Sequence, residues 1–253
     1  SGAPVGTVVP GGDDILMVQA FSERPLWIPT AEGVDRSEMT RFRHFAEART
    51  CREFADYTEL HEWSVNEAPE FWSLFAEFSG VVFDRAARIV RGPERMPGTE
   101  WLKGARLNYT ENLLRLRSNR TAIIALTEAG GHREYSYAEL YGMVVECARS
   151  LRELGIRPGD RVAGYLINGP EAIIAFLGCA SIGAIWSCCS PDFGPSASVD
   201  RLDQIRPRLL FASDMYQYGG KRIACLETVR HLERSVETIE QVVVIPYEPD
   251  ASA

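Results

Sequence analysis

Residues 161–189 read RVAGYLINGPEAIIAFLGCASIGAIWSCC, and this stretch decides the fold. RVAGYL (161–166) is a short apolar run behind one arginine, the length of a strand. NGPE (168–171) opens a helix with a proline near its start, and the apolar stretch that follows ends near Gly183. AIWSCC (184–189) is a second short apolar run. Strand, helix and strand in that order make a parallel pair, because the connection has to cross the sheet. The turn SPDFG (190–194) then falls at the carboxyl end of the second strand. Ligands of open α/β sheets bind outside those ends.

The alternation continues on both sides. TAIIAL (121–126) reads as a strand. SYAE (136–139) is a capping box, and the helix it opens carries Leu140, Val144, Ala148 and Leu151 on one face before stopping at Gly155. RPGD (157–160) is the turn into RVAGYL. Downstream, a helix around 198–205 leads to RLLFAS (208–213), and a helix around 223–235 leads to QVVVIP (241–246). AIWSCC and VVVI, with no alternation of polar residues, read as strands buried on both faces. The predicted fold class is α/β, a mostly parallel β-sheet with flanking helices, preceded by a helical N-terminal cap.

Three segments follow. Residues 1–37, rich in Gly, Pro and polar residues, read as an extended arm on the surface. Residues 38–115 read as the helical cap, and 116–253 as the α/β part. In the cap, Ser37 caps a helix that spaces Met39, Phe42, Phe45 and Ala46 along one face. Asn66 is the expected cap of EAPEFWSLFAEFSG, where Phe71, Trp72, Phe75 and Phe78 form an aromatic stripe. Such a stripe is expected to be core that packs the cap onto a larger domain.

Composition narrows the function. The 253 residues carry 35 acidic and 27 basic side chains, a net charge of −8. Nucleic-acid binders show the opposite balance, so no nucleic-acid partner is expected. No apolar run approaches the ~20 residues of a membrane span, and SGAPVGTVVPGGDD lacks the features of a secretory signal. A cytoplasmic protein without a membrane partner is expected. The cysteines at 51, 147, 179, 188, 189 and 225 match no zinc spacing and read as reduced thiols. Cys188 and Cys189 point to opposite faces of a strand, so they cannot share one metal. No metal site is predicted. The sequence has no GxxxxGK[ST], GxGxxG, HExxH or GxSxG motif. His44, His61, His132 and His231 have no triad partner, and no catalytic residue is assigned.

One stretch suits a phosphate. In YGGKR (218–222), Gly219 and Gly220 allow close backbone approach. Lys221 and Arg222 bring positive charge, and the helix expected next would add its amino end. By spacing alone, a Gly-Gly turn followed by ordinary basic residues is favoured.

Six stretches in order carry a resemblance. They are LWIPTAEGVDRSEMTRF (26–42), LHEWSVNEAPEFWSLFAEFSGVVF (60–83), WLKGARLNYTENLL (101–114), ASIGAIWSCCSPDFG (180–194), RLDQIRPRLLF (201–211) and YGGK (218–221). Together they resemble the N-terminal part of the acyl-CoA synthetases of the adenylate-forming superfamily. The Ser-Pro-Asp-Phe-Gly ending narrows this to the acetoacetyl-CoA synthetases. The resemblance implies the cap and first subdomain of an adenylation domain. It implies a ligase that activates acetoacetate with ATP and Mg2+ and passes the acyl group to CoA. By position, Ser190, Pro191 and Asp192 would line the pantetheine path of CoA, with Cys188 and Cys189 as small neighbouring walls. Tyr218, Gly219, Gly220 and Lys221 would lie by the nucleotide end of CoA. Acetyl-CoA synthetases have an arginine where Tyr218 stands, so its ring is placed to stack on the adenine. Asp192 has the alternative role of capping the next turn.

The ATP-gripping loop, the magnesium carboxylate and the C-terminal lysine of that family correspond to positions beyond residue 253. The resemblance therefore implies that the isolated chain is inactive, binds no ATP, CoA or Mg2+ tightly, and self-associates through an exposed face. A synthetase for acetate or propionate and a stand-alone binding module are the alternatives.

Overall fold

A computed structural model describes residues 25–247 except Glu94 and Ala129. The chain divides into two compact units between Trp63 and Ser64.

In the first unit, α1 (Ala31–Asp35) starts at Thr30, whose hydroxyl accepts from the Gly33 amide at 3.1 Å. This short helix lies in the stretch expected to be extended; residues 1–24 of that stretch are outside the described residues. Ser37 caps α2 (Glu38–Thr50) by accepting from the Thr40 amide. Of the expected apolar face, Phe42 and Ala46 are buried and Met39 is exposed. Leu60 and Trp63 of α3 (Tyr57–Asn66) are buried, with Phe54 and Trp63 rings 5.2 Å apart.

The second unit takes in the last residues of α3 and then α4 (Ala68–Phe78), capped at Glu67 without a side-chain bond. Asn66, the expected cap, is instead the last residue of α3. The proline at 69 sets the start of α4, since it needs no amide partner in the first turn. The aromatic stripe is not core. Trp72 and Phe75 are 43% and 39% exposed. Their rings pack on Phe71 and on each other, and Trp72 also packs on Trp101 of β2 (Trp101–Lys103), which pairs antiparallel with β1 (Ile89–Arg91). Helical spacing reports an apolar face but not what covers it.

α5 (Tyr109–Leu113) is fixed by its capping residue. The Asn108 side chain accepts from the Glu111 amide and donates to the carbonyls of Ala180 (2.9 Å) and Ser181 (3.2 Å). β3 (Thr121–Leu126) pairs antiparallel with β4 (His132–Ser136) in a two-stranded sheet of its own. It is therefore not the first parallel strand. α6 (Tyr137–Glu153) has the expected capping box of Ser136 and Glu139, and it buries Leu140, Val144, Ala148 and Leu151.

The main sheet is built from β5 (Arg161–Tyr165), β6 (Ile185–Cys189), β7 (Leu209–Ser213) and β10 (Gln241–Ile245). α7 (Pro170–Ser181) connects the first two strands and α8 (Pro195–Ile205) leads from β6 to β7. The hairpin β8 (Met215–Tyr218) and β9 (Lys221–Ala224), then α9 (Leu226–Ser235), precede β10. All pairings in the order β10-β7-β5-β6 are parallel. The α/β class with flanking helices is thus the observed one. Alternate residues sort to two cores: Val162, Leu209 and Phe211 against α6 and α7, Ala163, Tyr165 and Leu210 against α8 and α9.

The apolar runs expected to be buried on both faces, β6 and β10, are the outer strands among those described and are half exposed; the buried central pair is β5 and β7. Burial of a strand follows its rank in the sheet, which an apolar run alone does not encode.

Candidate functional site

The site lies where the carboxyl ends of the parallel strands meet the β8–β9 hairpin. Tyr165 ends β5, and its buried hydroxyl donates to the Pro191 carbonyl at 2.8 Å. The Leu166 amide donates to the Cys189 carbonyl at 3.2 Å. These two bonds fix the Ser190–Asp192 turn against β5. Burial, first among its causes, pushes the Tyr165 phenol up to about 12. It stays a neutral donor across the physiological range.

The hairpin is anchored at its base by Asp214, whose carbonyl accepts from the Cys225 amide and whose carboxylate accepts from the Tyr247 amide, each at 2.8 Å. At its tip a two-residue turn joins the paired residues Tyr218 and Lys221. Gly219 and Gly220 have φ of +56° and +73°, the pair of left-handed conformations that a two-residue hairpin asks for and that glycine adopts without strain.

Between these parts lies a cavity of about 250 Å3. Ser190, Pro191 and Asp192 form one wall; Tyr216, Gln217 and Tyr218 another. Leu126, Thr127, Glu128 and Arg133 of the β3–β4 hairpin, with Asn168 just ahead of α7, also border it. Arg133 is paired to Glu171 at 3.1 Å. The cavity therefore combines aromatic and apolar surface with polar side chains and three charged ones, Glu128, Arg133 and Asp192, beside the α7 amino end, a mixture that can hold a small molecule.

Four of the seven residues assigned by resemblance, Ser190, Pro191, Asp192 and Tyr218, line this one cavity. Gly219, Gly220 and Lys221 stand at the hairpin tip beside it rather than in its wall. The expected helix amino end behind Lys221 and Arg222 is absent there: both residues lie in β9, and α9 starts only at Leu226. Cys188 is exposed and Cys189 buried, on opposite faces as expected, and neither borders the cavity. Burial pushes the Cys189 thiol up to about 11, so it is a poor nucleophile at neutral pH.

Sequence reasoning missed Glu128. Its carboxylate accepts from the Gly219 amide at 2.8 Å and the Gly220 amide at 3.3 Å. The available signal was the Gly130–Gly131 pair between two strand-like runs, TAIIAL and HREYS, which marks a hairpin and puts Glu128 in its loop. Among the described residues no group of three His, Cys, Asp or Glu is placed to hold a metal ion. No helix among them is long and apolar enough to cross a membrane.

Residues 111–253 match the family described as AMP-binding enzyme, and residues 57–113 match the acetyl-coenzyme A synthetase N-terminus. The acetoacetyl-CoA synthetase of Xenopus tropicalis is 39% identical over 238 residues, covering 92% of this chain and 35% of that protein. That of Rhizobium meliloti (strain 1021) is 39% identical with the same two coverages. A malonamoyl-CoA synthetase of Penicillium aethiopicum is 32% identical over 93% of this chain and 32% of its own length. The solved acetoacetyl-CoA synthetase from Streptomyces lividans superposes with a TM-score of 0.84 at 39% identity, covering 90% of this chain and 36% of that one. The chain spans about a third of the length of the relatives it matches.

Proposed function

The chain belongs to the AMP-binding enzyme family, and from that premise we propose that it forms the N-terminal part of a ligase joining a short 3-carbonyl acid, acetoacetate first, to CoA. In the reaction an acid oxygen attacks the α-phosphorus of ATP, pyrophosphate leaves, and an acyl-adenylate forms. The CoA sulfur then attacks the acyl carbon and AMP leaves. Acetoacetate and malonamate, the acids named by the relatives, share a carbonyl at C3. That shared group defines the substrate class and sets it apart from the acetate or propionate of the competing reading.

The observation that carries the proposal is the single cavity bordered by both the Ser190–Asp192 turn and Tyr218. It suits the CoA half of the reaction. Ser190 and Pro191 present small uncharged surfaces to a pantetheine chain, and Asp192 lies at the same wall. Tyr218, 74% exposed, offers a free ring face for an adenine. Lys221, next to it in register across the hairpin, offers a point charge to a phosphate. Magnesium belongs to the ATP half, and no step is assigned to it because the described residues bring no donor cluster together. We assign residues 1–37 to the arm, 38–115 to the cap and 116–253 to the first subdomain, and place the reaction in the cytoplasm on the free state of the six cysteines.

The test is a CoA titration of the 15N-labelled chain. Amide resonances of Ser190, Asp192 and Tyr218–Lys221 should move together at millimolar CoA. If they stay put while others move, the cavity is not the CoA site. In an enzyme carrying this chain at the length of its relatives, AMP release should favour acetoacetate over acetate and propionate; preference for acetate would overturn the substrate class.

A further inference from the structure

The turn at the hairpin tip already holds an anion, and it is part of the protein. A two-residue hairpin satisfies the groups of its closing pair, here Tyr218 and Lys221, and leaves the amides of the two turn residues without strand partners. At this tip both amides converge on one carboxylate. Gly219 donates to one Glu128 oxygen at 2.8 Å and Gly220 to the other at 3.3 Å. Two adjacent turn amides aimed at a pair of oxygens on one atom form an oxyanion nest. A phosphoryl group presents the same pair of oxygens.

The surroundings favour exchange over permanent closure. Glu128 is exposed, and apart from each glycine and its chain neighbours no heavy atom lies within 4 Å of where a Cβ would sit on Gly219 or Gly220. Lys221 follows the nest directly and is itself exposed. The loop that carries Glu128 is held independently of the carboxylate: the Thr127 amide donates to the Gly131 carbonyl and the Gly131 amide to the Thr127 hydroxyl, each at 2.9 Å. Releasing the carboxylate needs only a side-chain rotation.

We propose that Glu128 is a displaceable internal anion that fills the Gly219–Gly220 nest and screens which phosphate-bearing ligands enter it. A free polyphosphate has to expel the carboxylate and then tolerate its charge nearby, with only the neighbouring Lys221 charge to offset that loss. A phosphate ester whose organic part also fills the neighbouring cavity gains contacts that do offset it. Glu128 thus makes the site selective against free phosphates by opposing them, a device separate from any contact that attracts the right ligand. The inference rests on the CoA reading only in taking a phosphate to meet this turn.

The 253-residue chain, 15N-labelled, is titrated with inorganic pyrophosphate and, separately, with CoA, following the Gly219 and Gly220 amides. In Glu128→Gln, which keeps length and drops charge, pyrophosphate should half-saturate these amides at about tenfold lower concentration than in the parent, the scale of one charge-assisted contact. Equal pyrophosphate affinity with an otherwise unchanged spectrum overturns the gate and leaves Glu128 a tie between two hairpins. Should the substitution disturb the fold, the parent chain decides. The 13C resonance of the Glu128 carboxyl moves as pyrophosphate binds if the carboxylate is displaced, and its constancy overturns the proposal. Tighter pyrophosphate in the variant with no CoA response in the cavity keeps the gate and removes the CoA reading. Equal CoA response in both proteins, with equal pyrophosphate affinity, does the reverse.

Discussion

The hydroxyl of Tyr165, a residue 2% exposed, donates to the carbonyl of Pro191 at 2.8 Å, so the last residue of one central strand holds the turn that follows its neighbour. Tyr165→Phe keeps the ring in its core but leaves the Pro191 carbonyl short of a donor. The loss should be about 1–2 kcal/mol in urea unfolding, with faster amide exchange at Asp192 and Phe193. Unchanged stability and exchange would mean that the turn holds itself.

The same phenol sets an alkaline limit. Its folded-state value of about 12 lies above the ordinary phenol range near 10. A raised value means stability fully present below about pH 10 and lost as pH rises toward 12. The buried thiols of Cys179 (about 12) and Cys189 (about 11), both raised chiefly by burial, act in the same direction from lower pH. Stability followed against pH should therefore fall more steeply above pH 10 in the parent than in Tyr165→Phe. Parallel curves would detach Tyr165 from the effect.

Gly164 faces the adjacent strand closely. A Cβ there would stand 2.9 Å from both the Cys188 sulfur and the Trp186 ring. Neither neighbour is the free end of a flexible chain, so Gly164→Ala should cost about 1–3 kcal/mol by overpacking. Trp186→Phe, which removes part of the obstruction, should recover some of that cost in the double variant. Additive losses would place the clash elsewhere.

What was legible in the sequence was local and periodic. Ser136 with Glu139, and Leu140, Val144, Ala148 and Leu151 behind them, state a capped amphipathic helix within seventeen residues, and the structure has it. The strand–helix–strand unit from Arg161 to Cys189 was equally plain. What failed depended on partners far along the chain. HREYS, a short and mostly polar run, is fixed as a strand only by pairing with TAIIAL across the Gly130–Gly131 turn. AIWSCC reads as buried on both faces but is an outer strand among those described, because apolar content does not reveal rank. In the candidate site, YGGK was visible as a turn, but Glu128 meets it from ninety-one residues away, and no spacing rule reaches that far.

Asp160 and Glu240 meet Arg208 where strands begin. The Asp160 carboxyl is held below its usual range first by the Arg157 amide at 2.8 Å, and further by Arg208 at 2.7 Å. Glu240, lowered chiefly by its hydrogen bonds from Arg208, takes both remaining guanidinium arms. Lowered values mean stability present above the ordinary carboxylate range near pH 4 and lost as pH falls below it. Asp160→Asn should cost about 1 kcal/mol at neutral pH, allowing for solvent screening, and should flatten the acid limb of the stability curve. A variant that keeps the full acid dependence would exclude Asp160 as its source.

In the proposed CoA site, Lys221 is the charge that would distinguish a phosphate site from a plain turn. It is exposed and register-paired with Tyr218, so its removal leaves the hairpin backbone intact. Lys221→Ala should weaken CoA about tenfold in the amide titration, the scale of one charge-assisted contact. On the proposed contact with a phosphate, CoA lacking its 3′-phosphate should bind the parent more weakly, and Lys221→Ala should weaken that analogue little further if the 3′-phosphate is the group met. If the variant weakens both ligands equally, Lys221 meets the diphosphate instead. If it weakens neither, the lysine is a solvated strand residue, and the hairpin tip owes any anion it binds to the amides of Gly219 and Gly220 alone.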